Sequence, residues 1–414
     1  MSPVLPSLAG ADWLAAPAVR LIFAALDGQG EETRVIGGAV RNVLTGRPVA
    51  DVDFGTTATP DVVAKRAEAA SIKVVPTGIS HGTLTLVTHG KGYEVTTLRE
   101  DIQTDGRHAT VRFGRDWAAD ARRRDFTVNA LSVDAGGTVH DPLGGYADVL
   151  AHRIRFIGDA DRRIAEDRLR ILRFFRFHAD YGAGPLDPAG LSAAIRARND
   201  LRELSAERIG QEMRRLVIAT RAVETVTAMQ ESGILTVVFG GIGYLAAFAR
   251  LAAFEAGLGA RGPASLRLAV LGCRIAEDAA RLTEKLRLAN EERDRMLAAL
   301  AAAPRFAVMP EEAVARRLLY RLGAEAYRDG IAVGLAWGAA PPDDPAGRQL
   351  MSLPERWPVP AFPLNGRDIL GAGARGAAVG ELLRALETWW VEKDFLPDSA
   401  ALKARLSQTA AAQQ

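Results

Sequence analysis

The spacing of apolar side chains changes character once along the chain, near residue 159. Before that point apolar residues fall in short alternating runs. After it they recur every three or four positions almost to the C-terminus. The first segment, residues 12 to 26, places Trp13, Leu14, Val19, Ile22, Phe23 and Leu26 at helical spacing, and Gly28 and Gly30 end it, so one helix is predicted. From Arg34 to about Gly145 the pattern predicts short strands and turns with a few helices. Thr59-Pro60-Asp61 is a helix start, with the hydroxyl as cap and proline in the first helical position. The run "TLTLVTHGKGYEVTTL" predicts a β-hairpin, two alternating stretches around a glycine-containing turn. Beyond Asp159, Ala, Leu, Arg and Glu at helical period predict helices throughout, with "GAAPPDDPAGRQ" at 338 to 349 as a linker or long loop. Nothing repeats with a period of 20 to 50 residues, which argues against a solenoid. The expected architecture is an N-terminal α/β domain of roughly 150 residues followed by an all-α region.

Composition narrows this picture only a little. At 414 residues the chain is too long for one usual core. Its 48% hydrophobic and 25% charged content is ordinary for a soluble globular protein. A net charge of +2 means that any nucleic-acid footprint is local rather than global. A single cysteine, Cys273, excludes an internal disulfide and a cysteine-based zinc site, and suits a reducing cytoplasm. No basic residue precedes Arg20, so no secretory signal is expected. Ser232 to Ala249 is uncharged for 18 residues, the lower limit of a membrane span, but it contains four glycines. A buried helix end followed by a glycine-rich turn is expected there.

The chemistry concentrates in "VIGGAVRNVLTGRPVADVDFGTT", residues 35 to 57. Val35-Ile36 is a strand, Gly37-Gly38 a turn, and "AVRNVL" the start of a helix. Such a turn is a phosphate cradle, because glycine lets backbone N–H groups approach an anion. Arg41, one turn into the helix, can add a bidentate contact. A lone Gly-Gly is more often a tight turn and nothing else. "ADVDF" then reads as a strand that points Asp51 and Asp53 to one face. Side by side, two carboxylates repel unless a cation neutralises them, and Mg²⁺ bridging a nucleoside triphosphate is the natural occupant. An exposed acidic hairpin is the alternative for a bare Asp-x-Asp. The glycine turn some ten residues upstream favours the metal.

These residues resemble the Gly-Gly/Gly-Ser and Asp-x-Asp signature of the DNA polymerase β nucleotidyltransferase superfamily. Within it the resemblance is to the class II tRNA nucleotidyltransferase (CCA-adding) and bacterial poly(A) polymerase family. "RRRDFTVNALSVD" at 122 to 134 is similar to a family motif in which Arg124 matches the arginine holding the incoming nucleotide, and Asp125 falls where ribose is recognised. "VHDPLGGYADV" fits the family's Asp-Pro-x-Gly-Gly turn, and His140 within it is read as structural. "RRIAEDRLRILRFFRF", 162 to 177, read as one helix, resembles the Glu-Asp-x-x-Arg motif that reads the nucleotide base. Asp167 would accept from an exocyclic amine and Arg170 would donate to ring acceptors, while Arg173 and Arg176 match further nucleotide-binding arginines. Taken alone, residues at this spacing make ordinary ion pairs on one helix, each worth about 0.2–0.5 kcal/mol.

The polar segment at 93 to 117 suits a mobile loop, and the family has a flexible loop at 101 to 116 that moves between C and A addition. Glu94 is either a third carboxylate near the aspartates or a solvent-facing hairpin residue. "SAERIGQEMRRLV" at 205 to 217 and the stretch near 362 to 383 resemble neck and tail segments. The family usually has Asp after the first-motif arginine, where this chain has Asn42.

The resemblance implies a polymerase β-like mixed sheet with helices over 1–158, then an all-α neck (159–242), body (243–340) and tail (341–414). It implies a template-independent enzyme that adds CCA to tRNA from CTP and ATP. Asp51 and Asp53 would be catalytic and hold Mg²⁺, and Gly38, Arg41, Arg124, Asp167, Arg170, Arg173 and Arg176 would hold the nucleotide. Poly(A) polymerase and partial CC- or A-adding activity share these motifs. From other classes, a catalytically inactive RNA-binding protein is suggested only by Asn42, and a small-molecule nucleotidyltransferase would not need the long helical region.

Overall fold

The computed structural model describes residues 3–79, 82–104 and 109–411. The chain divides into two compact units, Met1–Gly241 and Ile242–Gln414.

In the first unit, α1 (Asp12–Ala15) and α2 (Pro17–Leu26) precede β1 (Thr33–Ile36), α3 (Gly38–Leu44), β2 (Asp53–Thr56) and α4 (Pro60–Ala69). Then come β3 (Lys73–Gly78), β4 (Thr83–Thr88), β5 (Lys91–Thr97), β6 (Arg99–Thr104), β7 (Ala109–Phe113) and α5 (Trp117–Arg122). β8 (Ser132–Val133), β9 (Val139–His140) and α6 (Gly145–Leu150) follow, and α7 (Ala160–Glu166), α8 (Arg170–Tyr181), α9 (Pro188–Arg196) and α10 (Ala206–Val217) complete the elements used below.

Seven strands form one mixed sheet in the order β3-β4-β5-β2-β1-β8-β9, in which β2 and β5 run parallel and the other neighbours antiparallel. The expected hairpin is β4–β5, in register from Thr83↔Thr96 to Thr88↔Lys91. One face of the sheet buries Val35, Phe54, Leu84, Leu86 and Val95. Phe23 of α2 meets Phe54 edge-on at 5.3 Å, so the apolar stripe of that helix closes this core.

In this unit four expectations about helices, a helix cap and a loop need correction. Residues 12 to 26 form two helices, because Ala16 precedes Pro17 and takes an extended ψ of 135°. Thr59 sits at the N-cap of α4 with extended backbone, but its hydroxyl makes no capping bond. The segment at 93 to 117, read as a mobile loop, holds the end of β5, the antiparallel hairpin β6–β7 with Arg99 opposite Phe113, and the first residue of α5; residues 105–108 lie outside the described residues. The single helix expected over 162 to 177 is two, α7 and α8, separated at Asp167, whose φ and ψ of −152° and 108° are extended.

In the second unit, helices Leu245–Leu258, Ala264–Gly272, Asn290–Ala302 and Glu312–Trp337 enclose a core that includes Phe254, Phe306 and Tyr327. A second core, with Ile369, Leu386 and Trp390, gathers Gly366–Gly371, Ala377–Glu392 and Ser399–Ala411. The stretch expected as a linker at 338 to 349 is a loop only as far as Asp344, which caps the helix Pro345–Met351. The uncharged run from Ser232 holds the short helix Ile234–Phe239, which ends at the left-handed Gly240. Among the described residues no helix is long and apolar enough to cross a membrane.

Candidate active site

β1 delivers the chain to Gly37, whose φ of +65° is the left-handed geometry that glycine takes without strain. The turn starts α3 at Gly38, and a Cβ on Gly37 would stand 3.5 Å from the guanidinium of Arg124. Arg41 is buried on the next turn. Its guanidinium donates to Oδ1 of Asn129, to Oδ1 of Asn42 at 3.0 Å and to the Tyr181 hydroxyl at 2.8 Å. Asn42 therefore does hold Arg41, and its Nδ2 donates to the Pro48 carbonyl at 3.1 Å.

The neighbouring strand carries the carboxylates. β2 begins only at Asp53, so Asp51 lies in the extended approach to the strand rather than within it. Phe54 pairs in parallel with Val95, which puts Asp53 level with Glu94 on the face opposite the core. Asp53 stays open to solvent, yet the protein around it thins its hydration. That desolvation, followed by the negative charges of Glu94 and Asp51, raises the Asp53 carboxyl above the ordinary aspartate value, and Arg124 opposes them. Among the described residues no three His, Cys, Asp or Glu side chains form a metal-ligating cluster. Glu94 is near enough to Asp53 for its charge to act on that carboxyl. Crowded carboxylates that repel one another have the chemistry of a divalent-cation site, and the fit is to a hard, oxygen-bound ion.

A cavity of about 480 Å³ lies against this edge. Gly38, Arg41, Asp53, Arg124, Asp167, Arg170 and Arg173 all line it, so the fold gathers seven of the nine expected residues around one space. Asp51 and Arg176 are not among its lining. Arg176 is buried and donates to Glu212 at 2.5 Å, joining α8 to α10. Arg124 is steered by the buried Asp120, at 2.8 Å, which Arg123 also contacts at 2.8 Å. Burial works to raise the Asp120 carboxyl, but Arg124 and Arg123 hold it below its usual range. Asp125, fully enclosed, accepts from Arg173, Asn129 and its own neighbour's amide (Phe126), and these outweigh burial to lower it as well.

The side chains of Asp167 and Arg170 do not pair with each other, although the Arg170 amide donates to the Asp167 carbonyl at 3.0 Å. Arg170 donates to Glu166 at 2.7 Å and to the Arg163 carbonyl at 2.8 Å. Just before α8, Asp167 accepts from the Leu169 amide at 3.1 Å, and both its oxygens accept from Arg208 of α10, at 3.0 and 2.9 Å. Sequence reasoning missed Arg208, Asp120, Asn129 and Tyr181 as partners of the site. Arg208 stands 41 residues from Asp167, and no local spacing links them. Gly37 was legible as part of the Gly-Gly turn. His140, read as structural, contacts Asp134 at 3.0 Å.

Comparison with known proteins adds a family. Residues 33–155 match the poly A polymerase head domain, and residues 186–244 match a domain described as the probable RNA and SrmB-binding site of polymerase A. The mitochondrial CCA tRNA nucleotidyltransferase 1 of Homo sapiens is 30% identical over 395 residues, covering 92% of this chain and 88% of that protein. The CCA-adding enzyme of Geobacillus stearothermophilus is 32% identical over 356 residues, covering 84% and 85%. A crystal structure of Bacillus stearothermophilus CCA-adding enzyme in complex with CTP aligns with a TM-score of 0.73 at 27% identity, covering 95% of this chain and 97% of that one. A CCA-adding enzyme structure with ATP aligns at 0.72 with 19% identity, a likeness of fold. With such relatives spanning nearly its whole length, and with a polymerase β-like head carrying an arginine-lined cavity beside paired aspartates, the chain belongs to the class II CCA-adding enzyme family of nucleotidyltransferases.

Proposed function

We propose that the protein is a template-independent RNA nucleotidyltransferase that adds CCA to tRNA 3′ ends from CTP and ATP. The observation that carries this reading is the cavity in which a crowded carboxylate, a glycine turn, a set of arginines and the Arg208-held Asp167 meet. Asp51 and Asp53 would hold Mg²⁺, which supplies positive charge at the attacking 3′-hydroxyl and the reacting phosphate. The turn at Gly37 and Gly38, with Arg41 and Arg124, binds the triphosphate through backbone N–H groups and guanidinium donors. Arg173, fixed by Asp125, adds a further donor to the same wall. Asp167 keeps a lone pair beyond those taken by Arg208 and the Leu169 amide, and accepts from the exocyclic amine of cytosine or adenine. Arg170, oriented by Glu166, donates to the ring acceptors. UTP and GTP place a carbonyl where the amine would be, opposite a carboxylate. Residues 1–158 form the head, and neck, body and tail follow with boundaries at 242 and 340. The helical parts bind tRNA by its shape and phosphates. The one cysteine, Cys273, is buried and its thiol pushed up to about 12 by burial, so it stays an unreactive thiol.

The test supplies tRNAs ending before C74, after C75, or complete, each with one labelled triphosphate. Incorporation of C on the first, of A on the second and of neither on the third is expected. Continued A addition to complete tRNA would identify a poly(A) polymerase instead, and activity with only one nucleotide a partial enzyme.

A further inference from the structure

Arg41 is a buried cation with no carboxylate in contact. Only 7% of it is exposed, and its three hydrogen-bond partners, Asn129, Asn42 and Tyr181, are all neutral. Among the described residues no carboxylate makes an ion pair with it, and its Nε–H is enclosed with no partner at all. Burial lowers the guanidinium's hold on its proton, Tyr181 and the charge of the Asp125 carboxylate, which makes no ion pair with it, oppose this, and the charge of Arg176 adds to it. An ion removed from water without a counter-ion is costly, and it persists where surrounding structure holds it or a ligand completes it.

The surrounding structure is aromatic. The Arg41 guanidinium lies 4.0 Å from the ring centre of Tyr181, and that of Arg47, just beyond α3, lies 4.4 Å from the same ring. Phe177, one turn earlier on α8, is 5.7 Å from Tyr181 and takes Arg41, Arg173 and Arg176 at 5.1, 5.3 and 4.3 Å. Two rings therefore hold four guanidinium groups, of which Arg41 and Arg173 line the cavity. A carboxylate would orient an arginine and cancel its charge. A ring face and a neutral hydroxyl orient it and leave the charge in place. The family usually has a carboxylate beside this arginine, and here that neighbour is Asn42, whose amide is fixed by its bond to Pro48.

We propose that Tyr181 is a positioning residue for Arg41, its ring and hydroxyl aiming the guanidinium at the triphosphate of the bound nucleotide without neutralising it. The proposal rests on the reading of the cavity as a nucleoside triphosphate site. It assigns to the C-terminal end of α8 a part in phosphate binding, separate from the base reading placed at the start of that helix.

The test measures KM and kcat for CTP and ATP on tRNA acceptors, and equilibrium binding of inorganic tripolyphosphate, in Tyr181→Leu, Tyr181→Phe and Asn42→Asp. Tyr181→Leu should raise KM for both nucleotides by roughly tenfold, leave kcat within about twofold, and weaken tripolyphosphate by a similar factor. Tyr181→Phe keeps the ring and should recover most of that affinity. Asn42→Asp should weaken tripolyphosphate a few-fold, because its carboxylate offsets the Arg41 charge. Unchanged affinity in a Tyr181→Leu protein that melts like the parent overturns the proposal, as does an effect confined to one base. If Tyr181→Leu does not fold, equal or tighter tripolyphosphate binding by Asn42→Asp overturns it. Tripolyphosphate that fails to bind the parent chain removes the triphosphate reading itself, whereas binding indifferent to Tyr181 and Asn42 removes only this proposal.

Discussion

At Asp53, desolvation and the charges of Glu94 and Asp51 favour the protonated carboxyl in the folded chain. The group's folded value is raised, so its contribution to stability is fully present below the unfolded value and is lost as pH rises through the folded one. Near neutrality, in a chelator, the ionised Asp53 therefore works against the fold. Asp53→Asn is expected to melt higher than the parent in metal-free buffer, with a gap that opens as pH rises through the acid range. The same change should lower incorporation of both CTP and ATP by on the order of a hundredfold or more, since a metal contributes several kcal/mol at the transition state. Asp51→Asn should share the activity loss, and tRNA binding should persist in both. Near-normal turnover with Mg²⁺, or an Asp53→Asn protein less stable than the parent, would count against the assignment. The aspartate pair and the Gly37-Gly38 turn were legible in the sequence because each is a local pattern. The partners that hold Arg41 were not, since Asn129 and Tyr181 come from 88 and 140 residues beyond it.

The break between α7 and α8 decides how base reading is organised at the level of elements. Spacing alone suggested one helix, because Arg170, Arg173 and Arg176 continue a helical series and the apolar positions around Asp167 do not interrupt it. At the break Asp167 is extended, both its oxygens accept from Arg208, and its Oδ1 accepts from the Leu169 amide, so its side chain is turned to tertiary and local partners that no helical spacing reveals. Asp167→Ala should erode selection against UTP and GTP by roughly ten- to hundredfold, the worth of one unpaired buried polar group. Arg208→Ala leaves Asp167 in place but unsteered, and should weaken CTP and ATP use together with a smaller loss of selection. Single-nucleotide incorporation beside a thermal melt checks both. If all four nucleotides fall equally in Asp167→Ala, the pair is a helix joint and nothing more. The hairpin β6–β7 was hidden for another reason. Its polar, mixed-charge composition is that of a loop, and only backbone pairing shows otherwise.

For the whole molecule, tRNA binding by phosphate contacts predicts a linear fall of log affinity with log salt, with a slope of about −0.7 to −0.9 per phosphate engaged. Titrations of tRNA at several ionic strengths would show this, and a flat line would exclude a phosphate-led interface. The all-α region was readable as helices, while its two separate cores were not, because their members, such as Tyr327 and Trp390, look alike in apolar pattern.

The charge of Arg41, which no carboxylate contacts, has a thermodynamic consequence for the molecule at rest. A fold that encloses a cation and pairs no carboxylate with it leaves the arriving phosphates to act as part of its own structure. Binding and folding are then linked, and a ligand at about a hundred times its dissociation constant adds roughly 2.7 kcal/mol to the folded state. Thermal scans with rising CTP, ATP or inorganic tripolyphosphate should show a midpoint that climbs with concentration and continues past half-saturation. In a cell, the lifetime of the enzyme would then follow the supply of the nucleotides it consumes.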